Sequence, residues 1–194
     1  YVDGGYAKVT MAGGEISGNT AANNGGGVYQ TGGTFTMSGG AVRGNTATGD
    51  GGGVYVNGSG TLDMGGESVV SGNVSGNYAS VFDIYGGGVY VDGGTFTMSG
   101  SAAIRGNQAY RNSYGGGVYA YNSTITMTGG TIGGEESDAN TATYGGGVYQ
   151  DGGTFIMSGG KITGNKTKVT GNGGGVYQTG GTFTMNGSAA VRGN

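Results

Sequence analysis

Carboxylates are the side chains in this sequence that could perform acid–base chemistry. Asp63 and Glu67 lie four residues apart, and Glu135, Glu136 and Asp138 form a second group. Two carboxylates held about 5–9.5 Å apart can hydrolyse a glycosidic bond. The first pair straddles a predicted turn, and the second group lies in an insertion with no neighbouring base. We therefore interpret both as solvated surface acids and expect that the protein is not an enzyme.

The composition argues against several other chemistries. The 194 residues include no His and no Cys, so imidazole bases, thiolate ligands and disulfides are absent. Charged residues make up 10% of the chain and the net charge is −3, whereas nucleic-acid binding needs clustered Lys and Arg. No apolar run approaches the ~18 residues of a membrane-spanning helix. We expect no cofactor, no metal site, no nucleic-acid partner and no membrane insertion by this segment.

Aromatic residues between the repeated motifs form a second candidate site. Rings beside polar groups on protruding loops can bind glycans or a partner protein. The alternative is that these loops pack back onto the molecule and cover its edge. The candidate partner or ligand residues are Tyr78, Phe82, Tyr85, Tyr110, Arg111 and Tyr114, and Lys166 and Lys168 follow in a later spacer.

Paired threonines offer a third possibility. The pairs are Thr34/Thr36, Thr95/Thr97, Thr124/Thr126 and Thr182/Thr184. Outward Thr-x-Thr ranks resemble the flat faces of ice-binding solenoids. Here the ranks are interrupted at Lys8, Asp63 and Ile156, and threonine is also simply a good strand former. Ice binding is therefore kept only as an alternative function.

A sevenfold repeat must position all of these residues. The motif Gly-Gly-Gly-Val-Tyr recurs with 26–35 residues between successive tyrosines, a period typical of solenoids. The motif tyrosines are Tyr29, Tyr55, Tyr90, Tyr119, Tyr149 and Tyr177, with Tyr1 in the same position at the start. Gly-Gly, Asp-Gly and Asn-Gly pairs separate the blocks and predict turns.

Two further blocks in each repeat predict a buried face. All seven methionines occupy one position of a Thr-Phe-Thr-Met block, and an apolar residue lies two positions earlier. Spacing of i and i+2 is the period of a strand. A third block is centred on Ile or Val. The predicted core residues are Phe35, Met37, Val42, Phe96, Met98, Ile104, Phe155, Met157 and Ile162.

Three short strands and three turns in about 28 residues describe one coil of a β-helix. The predicted fold is therefore all-β: a right-handed, single-stranded parallel β-helix of about seven coils, forming one domain over residues 1–194 with truncated first and last repeats. The sequence leaves two alternatives at each of two repeated positions. The Asn that closes the third block forms either an amide ladder or a simple turn, and the repeated Tyr faces either outward, which we favour, or inward.

The blocks Gly-Gly-Gly-Val-Tyr, Thr-Phe-Thr-Met-Ser-Gly-Gly and Ile/Val-x-Gly-Asn resemble the repeats of bacterial surface β-helix proteins. These include proteins related to chlamydial polymorphic outer-membrane proteins and autotransporter-type adhesins. The resemblance covers essentially the whole chain. It implies secretion, display at the cell surface, and a role in adhesion or scaffolding, and it carries over no catalytic residue.

The functional expectation is an extracellular structural protein. The chain is expected to be a window or subunit of a longer assembly, because neither end shows a capping helix or a charge cluster. An uncapped solenoid can stack head to tail on a second copy and so build a rod or filament. The alternatives are a stalk fragment of a single-chain surface adhesin and a module that binds glycan or ice, with host or matrix glycans as possible partners.

Overall fold

Glycine-bounded blocks of two to seven residues form the strands of this protein. The structure is a computed structural model that describes residues 1–77 and 82–194. It is an all-β parallel solenoid of about six turns, which confirms the predicted fold class. The handedness stays a prediction.

Two of the four sheets hold the predicted buried blocks, and both have seven parallel strands. The Met sheet contains Lys8–Met11, Thr34–Met37, Thr61–Met64, Thr95–Met98, Thr124–Met127, Thr154–Met157 and Thr182–Met185. The Ile/Val sheet contains Glu15–Ser17, Ala41–Arg43, Val69–Ser71, Ala103–Arg105, Thr131–Gly133, Lys161–Thr163 and Ala190–Arg192.

The other two sheets complete each coil. The Tyr sheet contains Val28–Gln30, Val54–Asn57, Val89–Asp92, Val118–Tyr121, Val148–Asp151 and Val176–Gln178. The spacer sheet contains Thr20–Ala21, Thr46–Ala47, Val74–Ser75, Ile84–Tyr85, Gln108–Ala109, Ser113–Tyr114, Thr141–Tyr144 and Lys166–Asn172. In the described part of the chain the one helical element is the 3-10 turn Glu136–Asp138.

The coil count and the strand count differ slightly from the prediction. Seven strands in one ladder enclose six full turns, so seven repeats give about six turns rather than seven. Each coil has three to four strands rather than three. The additional strands come from the spacers, whose backbone pairs with the spacer of the neighbouring coil, as Val74 pairs with Thr46.

The glycine triplets allow this stacking because the neighbouring coil approaches their backbone too closely for any side chain to fit. A Cβ added to Gly53 would lie 2.7 Å from the carbonyl oxygen of Gly88 and 2.8 Å from Nδ2 of Asn73. The first glycine of the same triplet, Gly51, has φ +61°, which favours glycine. The triplet is therefore where the chain turns a corner against the backbone of the next coil.

The interior of the solenoid is one continuous apolar column, the axial core. Identical or similar residues pair in register, such as Met64 with Met98 and Val70 with Ile104. The structure places all nine predicted core residues in this column, and each is at most 1% exposed. The stacked coils together bury apolar side chains that a single coil would leave exposed to water.

Candidate functional site

An asparagine ladder runs beside the axial core and links successive coils. Both the backbone N–H and Nδ2 of Asn45 donate to Oδ1 of Asn73, each at 3.0 Å. The second Nδ2 hydrogen of Asn45 is donated backwards, to the carbonyl oxygen of Ile16 at 2.9 Å. The amide ladder, one of the two alternatives from the sequence, is therefore present. Its members are Asn19, Asn45, Asn73, Asn107, Asn140, Asn165 and Asn194.

The ladder has a direction along the rod. Each interior Oδ1 accepts from the coil before it, and each Nδ2 donates to the coil after it. Asn140 keeps its place although an insertion precedes it, because the 3-10 turn Glu136–Asp138 takes up the additional residues. The five interior members are fully buried. Each of them would leave unpaired polar groups in its neighbours if it were replaced by an apolar residue.

The repeated tyrosines form a second ladder on the outside of the Tyr sheet. Along the strand Val118–Tyr121, Val118 and Ala120 belong to the axial core, and Tyr119 belongs to a separate aromatic cluster. Consecutive rings are stacked, with centroids 4.7–5.6 Å apart and planes within 19°. We call this stack the inner tyrosine row; its members are Tyr1, Tyr29, Tyr55, Tyr90, Tyr119, Tyr149 and Tyr177. The outward orientation is thus the one observed.

A second row of rings covers the first. Tyr85, Tyr114 and Tyr144 stack on one another at 5.2 and 5.3 Å, and we call them the outer tyrosine row. Tyr85 lies 4.6 Å from Tyr119, and Tyr114 meets Tyr149 edge-on at 5.1 Å. Two predicted ligand residues, Tyr85 and Tyr114, therefore pack back onto the rod. Sequence reasoning missed Tyr144, although it directly precedes a glycine triplet as the other two do.

We call this double row the tyrosine sheath, and burial lowers the acidity of several of its phenols. It raises the pKa of Tyr55 and Tyr85 to about 12, and it raises the pKa of Tyr90 and Tyr119 as well. Desolvation is the largest cause in each case, because a buried phenolate loses its hydration. These four phenols are therefore neutral over the physiological pH range.

Asp50 occupies the position that an outer tyrosine takes in later coils. Its Oδ1 accepts the backbone N–H of Tyr85 at 2.9 Å, and its own N–H donates to Oδ1 of Asn24 at 2.9 Å. Burial raises the pKa of Asp50 to about 6, and the Tyr85 N–H offsets part of that rise. Asn24 shows that a neutral amide also fits this position.

The remaining predicted loop residues do not gather into one site. Lys168 Nζ donates to the carbonyl oxygens of Ala109 at 2.9 Å and Arg111 at 3.3 Å, and it lies 5.7 Å above the Tyr110 ring. Tyr110 and Arg111 are thus held beneath a lysine from two coils further along. Phe82 is 78% exposed on its own segment. Tyr78 lies outside the described residues.

Three of the five candidate carboxylates interact with partners of their own. Asp138 pairs with Arg105 at 2.9 Å, and Glu136 pairs with Lys166 at 3.5 Å. Asp63 accepts the hydroxyl of Thr97 on the Met sheet. Among residues 1–77 and 82–194, no three His, Cys, Asp or Glu side chains converge as metal ligands would.

The threonine ranks are more regular than the sequence suggested. Pairing in the Met sheet aligns one unbroken column on its outer surface, consisting of Thr34, Thr61, Thr95, Thr124, Thr154 and Thr182. The parallel column is interrupted at Asp63 and Ile156, as expected. In the first coil, Lys8 takes the place of a threonine at the end of the first column.

No protein-family model, no curated protein and no solved structure matches this chain. The resemblance to bacterial surface repeats therefore rests on the motifs alone, and what is shown is the parallel β-solenoid. In the part of the chain that the structure describes, no helix is long and apolar enough to cross a bilayer.

Proposed function

We propose that this protein is an extracellular structural element that forms or extends a rod by head-to-tail stacking of β-solenoid coils. The observation that carries the proposal is the continuity of its ladders. The axial core, the asparagine ladder and the inner tyrosine row all run along the solenoid with the same repeat. Such a molecule extends without changing its cross-section, as a structural rod must.

The two edges of the described solenoid are chemically complementary. At one edge Asn194 accepts from Asn165, and its Nδ2 donates to Ile162 and Arg192 rather than to a further coil. At the other edge Asn19 donates to Asn45, and no donor to its Oδ1 is present among the described residues. A donor edge and an acceptor edge fit a further coil, from the same chain or from another copy.

Apolar groups at these edges match the core of a further coil, whether of this chain or of another copy. Met185 is 42% exposed and Val191 is 36% exposed, whereas Met157 and Ile162 one coil earlier are fully buried. Val9 is 39% exposed at the opposite edge. A stacked coil would cover these side chains and would pair the open strands, which otherwise invite uncontrolled association.

Electron microscopy of the purified chain tests the stacking. We expect filaments longer than the roughly 30 Å of one seven-strand ladder. The double variant Met185→Lys/Val191→Lys should give only discrete rods, because it places two charges at the edge. The control Thr34→Lys/Thr95→Lys adds the same charge on the outer Met sheet, in the column where Lys8 already lies, and should keep the filaments. Discrete wild-type rods at high concentration would refute stacking and would favour a single-chain stalk.

The location at the cell surface and the adhesive role are further parts of this proposal. They are supported by the motif resemblance and by the exposed ring of Phe82 beside Asp83, an arrangement that suits a sugar. Antibody labelling of intact source cells tests the location. A glycan array with the wild-type chain and Phe82→Ser tests adhesion, and equal signals from the two would remove Phe82 from the binding surface.

A further inference from the structure

The Tyr sheet carries a single exposed ring that breaks its own repeat. In register on the outer surface are Asn57, Asp92, Tyr121 and Asp151. Tyr121 is 42% exposed, unlike the covered ladder tyrosine two residues before it. The turn after it is Asn122-Ser123, where the neighbouring coils have Gly-Gly.

This turn holds the exposed ring in place. Asn122 adopts φ +45°, which is unusual for a residue other than glycine. The hydroxyl of Ser123 lies 2.7 Å from the carbonyl oxygen of Tyr121 and 3.0 Å from that of Val91 in the coil before it. Tyr121 therefore projects from a fixed backbone.

Carboxylates flank Tyr121 on both sides along the rod. Asp92 and Asp151 pair in register with it, so each lies about 4.8 Å away along the axis and the two lie about 9.6 Å from each other. Burial raises the pKa of Asp92. None of the eight basic residues belongs to the Tyr sheet; they are Lys8, Arg43, Arg105, Arg111, Lys161, Lys166, Lys168 and Arg192.

The Ile/Val sheet presents the complementary pattern. Arg43, Ser71 and Arg105 lie in register on its outer surface, so the two arginines are also about 9.6 Å apart with a small residue between them. The side chains of Arg43 and Arg105 are 55% and 44% exposed. A groove of about 410 Å³ opens beside Arg43 and is lined by Ser17, Gly18, Arg43, Gly44, Ser71 and Gly72, so it reaches Ser71 but not Arg105.

We propose that these two surfaces dock on each other between neighbouring copies of this chain. The knob Asp92–Tyr121–Asp151 of one rod meets the socket Arg43–Ser71–Arg105 of the next, with the Tyr121 ring in the groove. Each triplet takes one residue from each of three successive coils and so spans two coil spacings, which aligns the charges at both ends. Arg43 and Arg105 keep their intrachain partners Glu15 and Asp138, because a guanidinium has five donors.

This contact would array rods side by side. The knob and the socket lie on different sheets that do not follow each other along a coil, so one rod can use both at once. Such a heterologous contact does not close on itself and builds an open layer. One exposed ion pair is weak, but each contact combines two carboxylate–guanidinium pairs with the Tyr121 ring. Side-by-side docking does not depend on the head-to-tail stacking proposed above.

Charge reversal tests the docking in the Met185→Lys/Val191→Lys background, where only side contacts remain. We expect sedimentation velocity to show concentration-dependent association at about 0.01 M salt, lost at about 1 M salt because the charges are screened. Asp92→Lys/Asp151→Lys and Arg43→Glu/Arg105→Glu should each raise the apparent dissociation constant at least tenfold. An equimolar mixture of the two variants should associate again.

Two further variants sharpen the test. Tyr121→Thr should weaken association without changing the charge, and Asp63→Lys/Glu67→Lys, with the same charge change at and beside the Met sheet, should leave it unaltered. Circular dichroism of every variant checks that the solenoid is intact. A mixture of reversed variants that stays monomeric would overturn the proposal, as would association that neither reversal affects. If filaments fail to form in the wild type but side association persists, only the head-to-tail proposal falls.

Discussion

The axial core and the tyrosine sheath are two ladders built on the same coils, and they tolerate change very differently. In the core, the Phe, Met and Ile/Val positions stay apolar through every coil, and Phe35, Phe96 and Phe155 are all essentially unexposed. The inward position of the Tyr sheet is the exception, because buried Gln30 and Gln150 pair there with Val56 and Ala120. The sheath, by contrast, is built from spacers of unequal length. Between 4 and 12 residues separate the ladder Asn from the next glycine triplet, and these spacers still align in one register. The enclosed volume therefore fixes the core, whereas the open side of the Tyr sheet can accept a second layer.

Truncation of a core residue should have the largest effect. Phe96→Ala removes a fully buried ring and should lower the free energy of unfolding by about 3–5 kcal/mol, because adjacent coils cannot collapse into the cavity. Denaturant titration measures this change. Ile156→Ala on the outer Met sheet, 38% exposed, is the matched control and should cost far less. Equal losses would mean that the core is not the principal support of the fold.

Loss of one ladder asparagine should come next. Asn107→Leu leaves the backbone N–H and Nδ2 of Asn73 without their shared acceptor, and we expect a loss of about 2–4 kcal/mol. Hydrogen exchange at the Asn73 amide should accelerate in parallel. Asn23→Leu changes an exposed asparagine in a spacer and should be nearly neutral. Unchanged protection at Asn73 would show that the ladder carries little of the coupling between coils.

The sheath should give a smaller response than either internal ladder. Tyr114→Ala removes ring contacts to Tyr85, Tyr144 and Tyr149 and should cost about 1–2 kcal/mol. Thermal unfolding followed by circular dichroism measures it. Tyr6→Ala, at a ring that is 99% exposed, is the control. A loss of stability as large as that of Phe96→Ala would show that the sheath stabilises the fold as strongly as the core does.

Asp50→Asn should give the smallest effect, and of opposite sign. The native pKa of Asp50, about 6, lies above its ordinary 3.8, so the native state binds more protons between those pH values. Wild-type stability therefore falls as the pH rises through this window. The variant avoids that loss and keeps an acceptor for the Tyr85 N–H, so it should be more stable by about 1 kcal/mol at pH 7, after allowance for the solvent that screens a partly exposed carboxyl.

Unfolding curves at two pH values check the sign. The advantage of Asp50→Asn should be full above about pH 7 and absent below about pH 3, where Asp50 is protonated in both states. A stabilisation that persists unchanged at the lower pH would assign the effect to the amide itself rather than to the buried charge.

Much of the fold could be read from particular residues, and little of the surface could. The methionine and its partner two residues earlier specify a strand with one buried face wherever they occur, since side-chain direction alternates along a strand. By contrast, Tyr85 and Tyr110 looked alike as spacer tyrosines. One stacks in the sheath and the other lies under Lys168, because each position depends on coils that are 30 or more residues away along the chain.

What the sequence determined by itself was the coil: its period, its glycine corners and the side chains that share an interior. Those features are local, because strand period and turn preference act within a few residues. The tertiary structure decided which equivalent residues face one another across coils, and hence the asparagine ladder, the tyrosine sheath and the alignment of Asp92, Tyr121 and Asp151. Spacers of unequal length separate these residues in the chain, and only the register of stacked coils brings them into line.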